Sequence, residues 1–289
     1  MTVGEAIQRQ KEFVANKYHV FRYSNKELKE SMKVLTKAYD DLWTFLEEKH
    51  QDVLDEFLME EKWRMKYIAS VSFGKDSLAM LLLLIENRYD IDEVIFYDTG
   101  MEFQAIYDIR DIIKGLLKKL NIKYTELKPT ESFEYKMLEK EVHKRNGKIQ
   151  RGYGLCGGRC RWGTTEKNKT IKNYLKEQYG EDYKEFIGIA YDEVARIEKK
   201  RNEHKLLPLV DWKMTEKDCL EYCYNRGFYW KENKIRLYDI LDRVSCWCCA
   251  NKNKKELENM RIYLPEYYLK HIDLLKRIKE NNKKRNSSR

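Results

Sequence analysis

Between residues 67 and 87 a short apolar run, a polar loop and a long apolar run follow one another directly. "YIASVSF" (Tyr67–Phe73) is β-prone, and the run from Leu78 to Ile85, the longest apolar stretch of the chain, has the length of a core helix, placed from about Asp76 to Asn87. The alternation then repeats. "VIFY" (Val94–Tyr97) reads as a second buried strand, Phe103–Leu120 as a helix, and Ile122–Leu127 as a third strand. Residues 133–146 read as helical, 147–162 as a loop rich in glycine and cysteine, Thr164–Gln178 as a helix, and "FIGIA" (Phe186–Ala190) as a fourth strand. Strands that alternate with helices predict an α/β fold, a doubly wound parallel sheet covered on both faces.

Residues 1–64 have a different texture. Val34, Leu35, Ala38, Leu42, Phe45 and Leu46 recur at helical spacing, which predicts a helical appendage over 1–64. Its buried face is a dimer interface, a partner-docking arm or a lid. The main domain is expected over 65–250, and C-terminal helices with a basic tail over 251–289. The tail "KRIKENNKKRNSSR" reads as a frayed helix end, or as a stretch that tracks a phosphate backbone.

Charged residues make up 36% of the chain and the net charge is +9, which fits either a solvated helical surface or an anionic partner such as nucleotide or nucleic acid. No run reaches the roughly 18 apolar residues of a membrane span. The first thirty residues are too polar for a signal peptide, so a cytoplasmic setting without membrane contact is expected. Seven cysteines in a reducing compartment point to metal, cluster or catalysis rather than disulfides.

The loop "SFGKDS" lies between the first strand and its helix, where open α/β sheets bind ligands. Gly74 lets backbone approach a phosphate, Ser72 and Ser77 donate hydrogen bonds, Lys75 supplies charge and Asp76 reaches a Mg²⁺. The competing reading is an ordinary strand-to-helix turn with a capping side chain. Neither the Walker pattern nor the dinucleotide G-x-G-x-x-G is present.

Ser72, Phe73, Gly74, Lys75, Asp76 and Ser77 resemble the S-x-G-x-D-S PP-loop of the ATP pyrophosphatase superfamily. "YDTGMEF" (Tyr97–Phe103), "GIAYDEVARI" (Gly188–Ile197) and "PLVDW" (Pro208–Trp212) are similar, in order, to stretches of its phosphoadenosine phosphosulfate (PAPS) reductase family. The resemblance implies the adenine nucleotide alpha hydrolase-like fold and an ATP site, with adenine and ribose beside Asp98, Thr99 and Gly100. It implies catalytic roles for Lys75 and Asp76 and a phosphate or sulfate contact for Arg196. Ala190 stands where the family has an arginine. Lys75 and Asp76 form a pair that PAPS reductases generally lack, and no cysteine follows Cys249, whereas those reductases carry a thiol near their end. Both departures favour cleavage of ATP to AMP and pyrophosphate. Glu102 is read evenly as a site residue or as a helix cap.

Cys156 and Cys160 sit in "CGGRC", and Cys246, Cys248 and Cys249 in "CWCC". Two such groups form a four-thiolate site for an iron–sulfur cluster or Zn²⁺, unless they are simply buried free thiols. Cluster-bearing adenylyl sulfate reductases have a similar layout, which favours a [4Fe-4S] cluster on Cys156, Cys160, Cys246 and Cys249. Cys248 is then a sulfur carrier or a substitute ligand. Cys219 and Cys223, at i and i+4 of a helix, read as core. Arg159, Arg161, Lys167 and Lys169 are a solvated face or a phosphate contact. The expected function is ATP-dependent adenylation with sulfur transfer from an unidentified donor to a nucleic acid or small molecule. The alternatives are a sulfonucleotide reductase and a non-catalytic nucleotide or nucleic-acid binding module.

Overall fold

The computed structural model describes residues 64–147, 149–155, 160–200 and 202–287, with the isolated positions 37, 41 and 44. The expected appendage over 1–64 therefore lies almost wholly outside the described residues, as do Cys156 and Arg159.

The elements run in chain order as β1 (Lys66–Val71), α1 (Lys75–Glu86), β2 (Glu93–Tyr97), α2 (Gln104–Lys119) and β3 (Lys123–Leu127). A π-helical turn at Tyr135–Glu139 leads into the hairpin β4 (Glu141–His143) and β5 (Ile149–Arg151). A second π-helical turn at Arg161–Glu166 continues into α3 (Lys167–Tyr179), followed by β6 (Tyr183–Ile187), α4 (Val194–Lys200) and β7 (Lys205–Leu206). The remainder comprises α5 (Pro208–Asp211), α6 (Glu216–Asn225), the short hairpin β8 (Lys231–Glu232) and β9 (Ile235–Arg236), α7 (Leu237–Ile240), α8 (Lys254–Tyr263) and α9 (Pro265–Ser287).

Five strands form one parallel sheet in the order β3-β2-β1-β6-β7. The period of two along each strand sorts its side chains between two cores. Ala69, Val71, Val94, Phe96 and Phe186 join the main core with α1, α2 and α6. Ile68, Ile95 and Tyr97 face the other way, onto Ile171 and Leu175 of α3. The run Leu78–Leu84 is buried apart from Leu83, as its length predicted. Successive strands lead away from β1 on one side, while β6 returns on the other. The carboxyl ends of β1 and β6 therefore flank the crevice where the strand order reverses, the usual ligand position in such sheets.

Three local expectations are corrected. The fourth strand ends at Ile187 rather than Ala190, because Gly188 runs against the start of α1: a Cβ there would lie 2.7 Å from the Ser77 Cα. The helix expected over 133–146 is a single π-helical turn and then a hairpin. The carbonyls of Lys136, Met137 and Lys140 accept from the N–H groups of Tyr153, Gly154 and Gly152, so a tertiary contact replaces helical pairing. The tail expected to fray is helical as far as Ser287.

Candidate active site

The PP-loop turns tightly at the end of β1. Phe73 adopts φ 55°, a left-handed conformation that is costly for a bulky residue. It is held on both sides. Its ring is fully buried against Phe96, and its carbonyl accepts the Trp230 indole N–H at 2.7 Å. The Ser77 hydroxyl lies 3.1 Å from the Ser72 hydroxyl and donates to the Gly74 carbonyl, closing the loop on itself. Gly74 is the N-cap of α1 and brings no side-chain acceptor, so the cap expected of an ordinary strand-to-helix turn is not supplied there. The arrangement leaves a helix N-terminus, with its favourable dipole, at the floor of a cavity.

That cavity holds about 340 Å³ and is lined by the loop together with Gly188, Arg196, Lys167 and Cys246. The Lys75 ammonium is buried and pairs with both Asp76 oxygens, at 2.9 and 3.1 Å, and with Glu216 at 3.5 Å. Burial pushes the Asp76 carboxyl above the ordinary aspartate range, against the pull of Lys75. Carboxylate oxygens of Asp76, Glu193 and Glu216 all lie within 4.8 Å of one another, a spacing that suits a hard divalent cation. Arg196 pairs with Glu193 at 2.5 Å at the rim, with Arg243 at 3.7 Å from the same carboxylate. Lys167 is partly buried beside Glu102 and Cys246, and burial lowers its pKa.

The end of β2 is built differently. The Asp98 carboxylate accepts from the Gly100 N–H and the Tyr107 hydroxyl, each at 2.8 Å, so it shapes the turn. Asp98 and Gly100 line a separate cavity of about 720 Å³ with Phe133, Trp162, Trp247 and Arg277. Of the three residues expected around the adenosine, only Thr99 also lines the PP-loop cavity. Glu102 does not cap α2. The first N–H groups of that helix go to the Tyr267 hydroxyl and the Glu232 carboxylate, at 3.0 and 2.9 Å. Glu102 instead accepts from the Thr99 hydroxyl at 2.7 Å and the Cys246 thiol at 3.5 Å, and burial raises its pKa.

Cys160, Cys246, Cys248 and Cys249 line a third cavity, of about 500 Å³. Its two cysteine loops are pinned to the β2 turn. The Trp162 indole donates to the Thr99 carbonyl at 3.1 Å, and the Trp247 N–H donates to the Met101 carbonyl at 3.0 Å. Burial raises the Cys246 thiol well above the ordinary range and pushes Cys248 up to about 12. A thiol so placed ionises only with a compensating cation, as metal ligation supplies. Among the described residues no three of these thiols lie within 4.8 Å of one another, so they are not gathered around a single ion; Cys160, Cys246 and Cys249 are soft donors from two loops around one half-enclosed space, a spread that suits a larger thiolate-bound cluster. Cys248 is 3% exposed and packs with Met101, Phe133 and Leu274, while Cys160 and Cys249 are more open.

The structure thus brings together the PP-loop, Thr99 and Arg196, and separately Cys160, Cys246, Cys248 and Cys249. Arg161 and Lys169 are exposed, and Arg161 stacks over the Tyr153 ring. Cys219 and Cys223 are fully buried core residues of α6. Glu216, Tyr238, Arg243 and Lys252 were not expected. Tyr238 accepts the Lys75 N–H at 3.0 Å from far along the chain, and no local pattern announces such a contact.

A parallel sheet with a PP-loop after its central strand defines the adenine nucleotide alpha hydrolase-like class. The phosphoadenosine phosphosulfate reductase domain matches residues 66–239, more than half of the chain, and the chain belongs to that family. It is 31% identical over 218 residues to the uncharacterized protein MJ0973 of Methanocaldococcus jannaschii, covering 72% of this chain and 47% of that protein. It is 25% identical over 240 residues to the uncharacterized protein MJ0066 of the same organism, covering 77% and 44%. The chain thus spans about half the length of the curated relatives it matches. Among solved structures it is similar to the U34-tRNA thiolase NcsA from Methanococcus maripaludis with its [4Fe-4S] cluster, at 16% identity and a TM-score of 0.42 over 79% of this chain and 80% of that one. Among the described residues no helix is long and apolar enough to cross a membrane.

Proposed function

We propose that the chain adenylates an acceptor with ATP and then delivers sulfur to it. The observation that carries this reading is a shared wall. The PP-loop cavity and the thiol cavity are both lined by Gly163, Asp242, Arg243, Ser245 and Cys246. An activated atom formed in one would lie next to sulfur held in the other.

In this reading the triphosphate occupies the start of α1, with adenosine directed toward Thr99. The phosphates draw Lys75 away from Asp76 and Glu216 and Arg196 away from Glu193, and the three carboxylates become free to hold Mg²⁺. An acceptor oxygen attacks the α-phosphorus and the bond to the β-phosphate oxygen breaks. Pyrophosphate departs, its charge met by Lys75, Arg196 and the helix N-terminus. A sulfur nucleophile then attacks the acceptor carbon, a carbon–sulfur bond forms, and AMP leaves with the former acceptor oxygen. Cys160, Cys246 and Cys249, with Cys156, would hold a [4Fe-4S] cluster, which when bound supplies a place for sulfur to ligate.

A nucleic acid is the favoured acceptor. The support is the 720 Å³ cavity, whose aromatic wall of Phe133, Trp162 and Trp247 suits a base and whose rim carries Lys128, Lys270 and Arg277. Two of these cations are partly paired already, Arg277 with Glu134 at 3.0 Å and Lys128 with Glu126 at 3.2 Å.

The test is pyrophosphate release from ATP-Mg²⁺ by anaerobically purified protein, with bulk tRNA, DNA or no acceptor, against Lys75→Met. Acceptor-stimulated release that the variant abolishes is the expected result. Sulfite released from PAPS or adenylyl sulfate with a thiol donor, without pyrophosphate from ATP, would replace this reading with a sulfonucleotide reductase. Binding of ATP without turnover under every condition would leave a binding module.

A further inference from the structure

Beneath α3, on the face of the sheet opposite the main core, a chamber of about 350 Å³ adjoins the PP-loop cavity. Ser72, Ser77, Lys167, Gly188 and Arg196 line both. The two spaces differ in charge. Asp76, Glu102, Glu193, Glu216 and Asp242 all line the PP-loop cavity, whereas Glu185 is the one carboxylate among the described residues that line the chamber. Lys167, Lys172, Arg196 and Lys205 line it as well. Glu185 already takes the Lys205 ammonium at 2.7 Å, and Arg196 shares its charge with Glu193. His204 is engaged elsewhere, its Nδ1 3.2 Å from the Tyr183 carbonyl and its Nε2 3.1 Å from the Glu181 carboxylate.

Three groups of the chamber lack a partner in hydrogen bonding. Ser70 stands on β1 two residues after Ile68, so both side chains leave the strand on the face toward α3. The Ser70 hydroxyl is buried and meets no hydrogen-bond partner among the described residues. A buried hydroxyl left unbonded is unfavourable, and such groups usually mark a bound water or ligand. Lys167 is half-buried between the two spaces, and Lys172 is exposed further along α3. Neither makes a hydrogen bond or an ion pair with a described residue. Negative charge reaches Lys167 from Glu102 on the PP-loop side and from Glu185 in the chamber, and Arg196 opposes it. Within the chamber itself positive charge is in excess.

We propose that the chamber is a second anion site, separate from the nucleotide phosphates, for a small inorganic oxyanion and above all for pyrophosphate. Its volume is within the range of small-ligand pockets. The cations attract a multiply charged ion, and the Ser70 hydroxyl donates to one of its oxygens. The chamber offers no unpaired carboxylate to hold Mg²⁺ beside the anion, whereas the acidic PP-loop cavity does. In the reaction proposed above, pyrophosphate would pass across the shared wall and away from the adenylate, which hinders reversal. That place in the reaction rests on the reading of ATP cleavage; the anion site itself does not.

The test is equilibrium dialysis of labelled pyrophosphate against the full chain at fixed free Mg²⁺, with and without saturating α,β-methylene-ATP, an analogue that cannot release pyrophosphate. Wild type, Lys172→Glu and Ser70→Ala are compared. With the analogue bound, the wild type should still take up pyrophosphate stoichiometrically. Both variants should bind it about tenfold more weakly, the scale of one lost hydrogen bond to a charged group, with the affinity for the analogue unchanged. Ser70→Ala should melt no lower than the wild type, because the hydroxyl it removes has no partner in the protein. Labelled phosphate separates the sources: weaker binding than pyrophosphate supports a product site, and tighter binding overturns the product role. Pyrophosphate displaced by the analogue, variants that bind it as the wild type does, or a Ser70→Ala protein that melts lower would each overturn the anion site. An analogue that does not bind, while pyrophosphate still binds and still depends on Lys172, sinks the ATP reading and leaves the chamber standing.

Discussion

Gly188 allows a sharp test of how the sheet builds the phosphate site. A methyl group there would lie 2.7 Å from the Ser77 Cα, 2.8 Å from the Ser77 nitrogen and 3.0 Å from the Asp76 carbonyl carbon. Ordinary contact begins at 3.4 Å, so the closest atom falls short by about 0.7 Å. All three are backbone atoms of the first turn of α1, and no side chain can rotate away to make room. In Gly188→Ala the strand end and the helix start must therefore separate. Overpacking of this kind costs about 1–3 kcal/mol. For a domain of this size each kcal/mol lowers the melting temperature by about 2–4 °C. The functional cost should be larger in proportion, because the displaced turn carries Asp76 and Ser77. A shift approaching 1 Å at a reacting centre costs about 100-fold in rate. Pyrophosphate release and a thermal melt on the same preparation measure both. Gly115→Ala is the control. Its Cβ meets nothing within 4 Å in the interior of α2, so it should gain about 0.5–1 kcal/mol of stability with activity unchanged. If the two alanine variants behave alike, β6 does not abut the PP-loop helix as described and the reasoning fails.

Trp230→Phe keeps the aromatic packing but strands the buried Phe73 carbonyl, so it should cost about 1–3 kcal/mol and raise the KM for ATP, both read from melts and steady-state kinetics. Cys248→Ala should retain bound metal by elemental analysis, because its thiol is packed in an apolar cluster, whereas Cys246→Ala and Cys249→Ala should lose it. The fork from Arg226 to Glu86, at 2.6 and 2.7 Å, joins α6 to α1 and holds the Glu86 carboxyl below its ordinary range. Its contribution is complete above the unfolded glutamate pKa and disappears as pH falls through the depressed folded value. With partial exposure discounted, Glu86→Gln should cost at most about 1 kcal/mol at pH 7, and denaturant titrations near pH 3 should show the difference shrinking.

What was legible in the sequence follows from the range of the forces involved. β1, α1, β2 and α2 were placed within two residues because their burial is dictated by runs such as Leu78–Ile85, a property of neighbouring residues. β6 was misplaced because its buried face includes Glu185, 6% exposed and paired with Lys205 at 2.7 Å. A charge neutralised by a partner on another strand looks like surface in the sequence. The π-helical turn at Tyr135–Glu139 was taken for a helix for a related reason. Its carbonyls are satisfied by residues 152–154, whose approach depends on Gly152 at φ 65° directly over the Met137 carbonyl.

The same distinction divides the candidate site. The PP-loop is a local device: six consecutive residues carry the turn, the helix start, the cation and the acid, so the sequence alone could place them. Its surroundings are assembled from far apart. Tyr238 takes the Lys75 N–H, Glu216 shares its ammonium, and Trp230 holds Phe73 in its strained conformation. The cysteines fall between these cases. Their grouping is visible in sequence, but their nearness to the nucleotide site depends on two tryptophans that donate to backbone carbonyls of the β2 turn, Trp162 from its indole and Trp247 from its backbone N–H. Cys246 is where the two parts meet, contacting Thr99 and Glu102 while lining both cavities. That placement carries a consequence for any two-stage chemistry in this chain. Because one thiol sits in both walls, whatever binds it should alter the PP-loop cavity as well. ATP affinity measured by calorimetry should therefore differ between metal-loaded and metal-free protein, and equal affinities would show that the two cavities, though adjoining, act independently.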